Sequence, residues 1–225
     1  MWSLTIADFS LFAHPEYLAV RPSFYSLDSF KPLLELKNNW QIIRDELSHL
    51  HAPLLDIDRT DKSHGQVFTE LNQHLLSGGD YGWLKGWGQA GGNRDWVQFA
   101  LQVQNQPIEA ARAFFPKTLD LLGALDGIKV CSLARLAAHS FLTCHQHPEI
   151  FSEGLLQMHI TLSAATEGNY AYLNVNGEFH QHRPGEAVIF DGSLDHFVVN
   201  ASNAERTILY LEFDKARMAS RGELE

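Results

Sequence analysis

Short apolar runs separated by turn residues make up the C-terminal part of the chain, after Gly127. Their length and close spacing are typical of β-strands in a sandwich or barrel. The predicted strands are residues 128–136, 139–144, 155–164, 169–175, 187–191, 196–200 and 206–213. Turns are predicted at 174–177 and 183–185. The pattern therefore predicts a mainly β core over residues 128–213.

Helical periodicity marks two earlier stretches. In residues 30–50, apolar side chains recur at three- and four-residue steps, which predicts a helix that ends before Pro53. Residues 107–125 predict a second helix, which Pro116 must kink or divide. The stretch between them, residues 56–80, is polar and has the spacing of a short helix only.

The length of the chain and its apolar content set the expected domain organisation. With 225 residues and 45% apolar content, the chain is long enough for one sizeable hydrophobic core. We predict a single domain, residues 1–225, with a helical N-terminal part, residues 1–127, packed on the strands at 128–213. Residues 214–225 are expected to form a C-terminal tail.

Charge and composition argue against two classes of partner. The formal net charge of −10 disfavours nucleic acid, and no apolar run reaches the ~20 residues that span a bilayer. Residues 1–10 contain Asp8 and lack the basic start of a signal peptide. Cys131 and Cys144 form no CxxC pair, and Cys144 is expected to be a buried thiol. We therefore expect a cytoplasmic protein with reduced thiols that binds neither nucleic acid nor membranes.

Three of the twelve histidines have the spacing of a metal site. His145 and His147 are two residues apart, so on one strand they share a face, and His196 follows a turn about fifty residues later. A close pair and one distant ligand predict a facial triad, which for oxygen-activating iron usually contains two histidines and one carboxylate. His180 and His182 repeat the same spacing before a turn, where they are expected to face solvent. Spacing alone therefore also allows surface histidines.

Arg206 opens an apolar strand whose neighbours are all typical of a core. A guanidinium in such a place needs an anionic partner. The carboxylate of a small ligand would bind it in a bidentate manner. A salt bridge to Glu205 or Asp195 is the alternative.

At these residues the sequence resembles the aspartyl/asparaginyl β-hydroxylase family. Residues 183–196 resemble the distal family motif, in which a Gly, an apolar run, Phe-Asp and a short turn precede the second iron histidine. An arginine follows ten residues later, which is the separation of His196 and Arg206. Upstream, residues 136–147 and 157–160 resemble the segments around the first iron histidine and the Arg-x-His motif. Together with weaker landmarks, the resemblance covers roughly residues 24–213.

The resemblance implies a double-stranded β-helix, a jelly-roll or cupin-like fold, with helices N-terminal to it. It implies an Fe(II)- and 2-oxoglutarate-dependent dioxygenase that hydroxylates an unactivated C–H bond of an amino-acid-like or peptidyl Asp/Asn-type substrate. By the resemblance, His145 and His196 bind iron, and Arg206 holds the C5 carboxylate of 2-oxoglutarate. His159 and Gln157 are placed in the same cosubstrate pocket.

Three positions depart from the family pattern. His147 occupies the position of the carboxylate ligand, so the metal would be held by three histidines. In an alternative register, His147 is the first ligand and Glu149 supplies the carboxylate. Residues 138–139 replace a Pro-Gly turn, and Gln157 replaces an arginine that normally meets an anion. The last change predicts a different substrate or a different pose of 2-oxoglutarate.

Two other functions remain open from the sequence. A cupin-type metal dioxygenase that does not use 2-oxoglutarate would have no need of Arg206. A non-catalytic binding module with a decayed iron site would explain the departures from the family pattern. The tryptophans Trp83, Trp87 and Trp96 are expected to belong to the core, as aromatic residues usually do.

Overall fold

The structure is a computed structural model that describes residues 21–88 and 91–220. The expectation about a signal peptide at residues 1–10 and the end of the predicted tail, residues 221–225, lie outside the described residues. Within the described ranges, every helix is too short or too polar to traverse a lipid bilayer.

Strands outnumber helices in the described residues, and the last eight strands form the core. The strands are β1 (Phe24–Tyr25), β2 (Leu54–Asp58), β3 (Trp83–Gly86), β4 (Asn93–Val103), β5 (Gln106–Pro107), β6 (Ile128–Leu136), β7 (Ser140–His145), β8 (Leu155–Ser163), β9 (Ala171–Val175), β10 (Glu178–Gln181), β11 (Ala187–Phe190), β12 (His196–Asn200) and β13 (Arg206–Asp214). The helices are α1 (Lys31–Asn38), α2 (Trp40–Ser48), α3 (His64–Leu76), α4 (Pro116–Gly123), α5 (Pro148–Ser152) and α6 (Lys215–Met218), with 3-10 turns at Leu27–Ser29 and Glu109–Ala113.

The core strands alternate between two antiparallel sheets. The large sheet contains the order β11-β8-β13-β6, and the small sheet has the order β10-β9-β12-β7. This is the double-stranded β-helix that the family resemblance implies, and the fold class is confirmed. Among the eight core strands, the one that the sequence pattern missed is β10, which follows the predicted turn at 174–177 directly.

The large sheet has two different faces, and the chemistry lies on the inner one. On β8, Met158 and Ile160 pack into the hydrophobic core that includes α1, α2 and α4, while Gln157 and His159 point between the sheets. Strand β13 alternates in the same way, with Leu209 and Leu211 in the core. Because both faces are covered, these strands are buried along nearly their whole length.

The division at residue 127 does not separate helices from strands, which corrects the predicted helical N-terminal part. Strands β2, β3 and β4 extend the large sheet beyond β6, and β1 pairs with β11 at the other edge. In β4, Phe99 and Leu101 face the core, whereas Trp96 and Gln98 face the space between the sheets. Since both faces of β4 are buried, its sequence lacks the clear alternation that reveals a half-buried strand.

The predicted helices are broken into shorter ones. The stretch 30–50 forms α1 and α2, which meet at Asn39, and residues 107–125 form a 3-10 turn followed by α4. Pro116 is the first residue of α4, where its missing N–H costs nothing. The Glu46 carboxylate of α2 accepts hydrogen bonds from the backbone N–H groups of Lys117 and Thr118, which joins α2 to the start of α4.

Candidate metal centre and anion pocket

Three histidines cluster beside the end of β7 and the start of β12 in the small sheet. One ring nitrogen of each of His145, His147 and His196 lies within 4.8 Å of the others. His145 ends β7 and His196 begins β12, and the two residues are paired across these neighbouring strands. Their ring centroids are 4.2 Å apart.

His147 reaches the cluster by another route than the sequence pattern suggested. Strand β7 ends at His145, and the chain turns into α5 at Pro148, so His145 and His147 do not share a strand face. The backbone N–H of His147 instead donates to the Gly192 carbonyl at 2.9 Å. This bond fixes the turn beside the loop that precedes His196.

The Nδ1 atom of each ring has a protein partner. In His145 it lies 2.7 Å from the Thr143 carbonyl oxygen, and in His196 it lies 2.8 Å from that of Leu194. In His147 it lies 3.2 Å from the Glu149 carboxylate. An Nδ1–H that donates to an oxygen leaves Nε2 as a lone-pair ligand, which is the usual arrangement around protein-bound metals.

The surroundings keep these imidazoles neutral. Burial, and then the neighbouring His145, lower the pKa of His196 to about 3. Burial also lowers the pKa values of His145 and His147. Because a metal competes with protons for the same lone pairs, rings that are neutral at pH 7 are ready to bind it.

The structure places Glu149 behind His147 and outside the group of three histidines. Its carboxylate accepts from Nδ1 of His147, as the second-shell carboxylates of many metal sites do. We expect Glu149→Gln to lower metal affinity about 10–100-fold, whereas loss of a first-shell carboxylate would remove binding. Calorimetric titration of the metal-free protein measures the difference. Glu153→Gln, which removes an exposed acid paired with Lys129, is the matched control.

Arg206 lies on the inner face of the large sheet, in the same cavity as the histidines. It is only 2% exposed, and its Nε and Nη1 atoms have no hydrogen-bond partner. Neither acid considered from the sequence pairs with it. Glu205 lies 3.5 Å from Arg135, and Asp195 accepts from Gln146.

Within residues 21–88 and 91–220, no carboxylate lies within 4.0 Å of the Arg206 guanidinium, and burial lowers the pKa of this group to about 9. A buried charge without a partner is costly. An unpartnered guanidinium of this kind is a candidate binding site for an anionic ligand.

A buried histidine pair lies next to this arginine. Nδ1 of His159 is 3.2 Å from Nε2 of His182, and His182 is fully buried, which corrects the expectation that it faces solvent. His180 is half-buried. The sequence pattern failed here because β10 was missed, and this strand carries the chain from the turn at 174–177 back alongside β9. His159 lines the cavity, so its Nε2 atom is the one available to a ligand.

The inner face of the large sheet also carries Gln157, which the sequence analysis placed in the cosubstrate pocket, and Tyr210 and Glu212, which it did not identify. Gln157 donates to the Tyr210 hydroxyl at 2.7 Å, and this hydroxyl donates to the buried Glu212 carboxylate. His64 and Arg59, from the N-terminal part, also line the cavity. The sequence of β13 could have revealed Tyr210 and Glu212, because these polar residues lie on the same strand face as Arg206 and are separated by the apolar Leu211.

Two smaller expectations also need correction. Trp83 and Trp96 are buried in hydrophobic clusters as predicted, and Trp96 also lines the cavity, whereas Trp87 is only partly buried and its ring lies 5.1 Å from that of His145. Cys144 points away from the cavity, but the outer face of the small sheet is open, so this thiol is exposed.

The comparisons with known proteins agree with this geometry. The family model described as aspartyl/asparaginyl beta-hydroxylase matches residues 37–216. The chain belongs to the aspartyl/asparaginyl β-hydroxylase family. The match includes all three clustered histidines and Arg206, and it confirms the resemblance seen in the sequence. Among curated proteins, no relative matches this chain.

Solved structures that are similar to this member of the family share little sequence with it. An oxidoreductase of the 2OG-Fe(II) oxygenase family from Burkholderia pseudomallei is 17% identical, with a TM-score of 0.37, over 58% of this chain and 73% of that one. A predicted oxalate decarboxylase from Thermotoga maritima is 15% identical, with a TM-score of 0.35, over 52% and 79%. The cupin domain of Schizosaccharomyces pombe Cnp3 is 7% identical, with a TM-score of 0.36, over 54% and 66%.

Membership of the hydroxylase family supports an oxygenase, which implies dioxygen and a small-molecule or peptide substrate. The three histidines are a group that could hold a metal ion.

Proposed function

We propose that this protein is an Fe(II)- and 2-oxoglutarate-dependent dioxygenase that hydroxylates an unactivated C–H bond of an amino-acid-like or peptidyl substrate. The observation that carries the proposal is the buried, unpartnered guanidinium of Arg206, which shares one cavity with the three histidines. Metal chemistry without a carboxylate cosubstrate has no use for such a group, whereas 2-oxoglutarate needs a cation at its far end.

His145, His147 and His196 are the residues that would hold the metal. Imidazole binds Fe(II) as it does several other first-row metals, and three protein ligands would leave room at the metal for cosubstrate and dioxygen. When bound, Fe(II) supplies the activation of dioxygen that couples oxidation of 2-oxoglutarate, to succinate and CO2, with hydroxylation of the substrate. Glu149 orients His147, so the protein controls the direction of each ligand.

Arg206 and His159 are proposed to bind 2-oxoglutarate, with Gln157 on the neighbouring wall. Arg206 offers two free N–H groups to the C5 carboxylate. Burial and the nearby Arg206 hold the pKa of His159 well below its usual range, so this ring is neutral. A carboxylate in the cavity selects the tautomer in which His182 donates to Nδ1 of His159 and the hydrogen on Nε2 of His159 faces the ligand.

The apolar lining is proposed to keep water from the reaction. Leu142, Phe190, Val198 and Ile208 surround the polar groups, and Trp87 and Trp96 close one side. In such surroundings, the hydrogen bonds and charges that hold the cosubstrate are stronger than in water.

The role assigned to His182 gives a prediction. We expect His182→Phe to weaken 2-oxoglutarate binding about tenfold, the equivalent of ~1.4 kcal/mol, because His159 loses the donor that fixes its tautomer. His182→Gln, whose amide can donate to the same atom, should restore most of the affinity. Calorimetry on the metal-loaded, oxygen-free protein measures both. Equal affinity in wild type and both variants would show that His182 only fills space.

A cupin-type dioxygenase that does not use 2-oxoglutarate is the second candidate. The observation that favours it is the third histidine, since two histidines and a carboxylate are more usual in 2-oxoglutarate enzymes.

Succinate formation separates the two candidates without knowledge of the substrate. Fe(II)-loaded protein given 2-oxoglutarate and dioxygen should release succinate slowly, and Arg206→Met should abolish the release. Metal uptake without succinate would favour the cupin-type enzyme, and no metal uptake would favour a decayed binding module.

A further inference from the structure

A second arginine, the partly buried Arg59, lines the same cavity as Arg206. The Nη1 atom of Arg59 donates to the Gln98 side chain, and its Nη2 atom lies 3.0 Å from Nδ1 of His64. The Nε atom of Arg59 is buried without a partner. Across the described ranges, no carboxylate lies within 4.0 Å of this guanidinium either. One cavity is therefore lined by two arginines that form no direct salt bridge with an acid of the described residues.

A buried carboxylate contacts the same imidazole. The Nε2 atom of His64 lies 3.3 Å from Oε1 of Glu212, whose side chain is 2% exposed. The Tyr210 hydroxyl also donates to Oε1. Among the described residues none donates to Oε2, so this oxygen is left for a ligand. Arg59, His64 and Glu212 thus form one wall, in which the imidazole contacts both the cation and the anion.

This wall lies where the metal cavity meets a second, outer cavity. Arg59, His64, Trp87 and His147 line both cavities, and Glu212 lines the outer one. A ligand held by the wall would therefore lie beside the clustered histidines, on the side away from Arg206. That is the place of a substrate, as distinct from a cosubstrate held by Arg206.

We propose that Arg59 binds the carboxylate and Glu212 the ammonium group of a free, zwitterionic amino acid, which is the substrate class of this enzyme. The inference rests on the proposed function for the reaction but has its own evidence in the Arg59–His64–Glu212 wall. A guanidinium recognises a carboxylate through a planar pair of donors, and a buried carboxylate recognises an ammonium group by charge-assisted hydrogen bonds.

The same wall discriminates against a peptidyl substrate. Within a peptide, the α-amino and α-carboxyl groups of a residue are neutral amides, which offer neither the anion that would pair with Arg59 nor the cation that would pair with Glu212. Leaving a buried charge unpaired costs more than a weak contact recovers. The pair of charges therefore selects for free amino acids through an energetic penalty on capped ones.

The experiment uses the full chain loaded with Zn(II), which holds the site without turnover. The twenty proteinogenic L-amino acids are titrated one by one, with and without 2-oxoglutarate, by ligand-observed NMR. The best binder is then compared with its α-amide and with its N-acetyl derivative. The proteins are wild type, Arg59→Gln, Glu212→Gln and a control, Arg112→Gln, which removes an exposed arginine paired with Glu109 and Asp120.

In wild type and the control, the free amino acid should bind about 10–100-fold more tightly than either derivative, as loss of a charged hydrogen bond predicts. Arg59→Gln should remove the difference between acid and amide but keep that between free and acetylated amine. Glu212→Gln should do the reverse. Circular dichroism identifies a variant that fails to fold. In that case the comparison of the free amino acid, its α-amide and its N-acetyl derivative on the wild-type protein still tests the inference.

Three results would overturn the inference. The first is that no amino acid binds, and the second is that the capped derivatives bind as tightly as the free amino acid. The third is that both variants weaken the binding of all three compounds equally, which is expected if the wall has only a structural role. Binding of 2-oxoglutarate to the same wild-type sample tests the proposed function separately. If 2-oxoglutarate binds and amino acids do not, only the assignment of the substrate fails.

Discussion

Replacing His196 by alanine is expected to abolish Fe(II) binding and all succinate formation. His196 is paired with His145 across two neighbouring strands and lies close to His147. Its loss would leave only two of the three proposed ligands. The loss of affinity should exceed the roughly 10–100-fold that removal of a second-shell partner costs. Metal analysis after anaerobic loading and desalting measures the bound equivalents directly.

The control for this variant is His51→Ala, which removes an exposed histidine from the loop before β2. It should retain one equivalent of Fe(II) and the turnover of wild type. If His196→Ala also retained one equivalent, the three clustered histidines would not be the iron site.

The second large effect is expected at Arg206, where stability and ligand binding should change in opposite directions. Arg206→Met should weaken 2-oxoglutarate binding by about 2–5 kcal/mol, as loss of a buried charge pair does. The same change should raise the free energy of unfolding of the ligand-free protein by about 1–4 kcal/mol, because methionine fills the space without an unpaired buried charge. Calorimetry and denaturant unfolding measure the two effects.

Arg135→Met is the matched control for Arg206→Met. Arg135 belongs to the large sheet but is partly exposed, lies near Glu205 and stacks on Trp83 outside the cavity. Its replacement should leave 2-oxoglutarate binding unchanged and should not stabilise the protein. If Arg206→Met bound 2-oxoglutarate as wild type does, Arg206 would not be the carboxylate clamp. If it destabilised the ligand-free protein, the guanidinium would have an internal role instead.

The sequence predicted the C-terminal strands well because their ends are marked by turn residues. The bounds of β6 and β12 were predicted to the residue, and the latter placed His196 at the start of its strand. Strands β4 and β10 were missed for physical reasons. Strand β4 is buried on both faces, and β10 has only four residues, mostly polar.

The clustered histidines were predicted from spacing, but the way in which His147 joins them was not. Its position depends on a hydrogen bond to Gly192, about forty-five residues later, and no local pattern encodes such a contact. His64 and Arg59 come from a segment that reads as polar and featureless. Only the packing of the N-terminal strands against β6 brings them to the cavity.

The surroundings of Arg206 were also predicted only in part. Arg206 was identified because a guanidinium at the start of an apolar strand is conspicuous. His182 was expected to face solvent because it precedes a turn. In the structure its Nε2 atom contacts Nδ1 of the buried His159. His182 was missed because its partner lies on the other sheet, and Arg59 and His64 were missed because they lie outside the core strands.

The most direct test of the central claim is anaerobic titration of the metal-free protein with Fe(II) and 2-oxoglutarate, followed by visible absorption. We expect the weak metal-to-ligand charge-transfer band to appear only when both are present, with one equivalent of each. Fe(II) binding without the band would contradict the use of 2-oxoglutarate, and no Fe(II) binding would contradict the iron site itself.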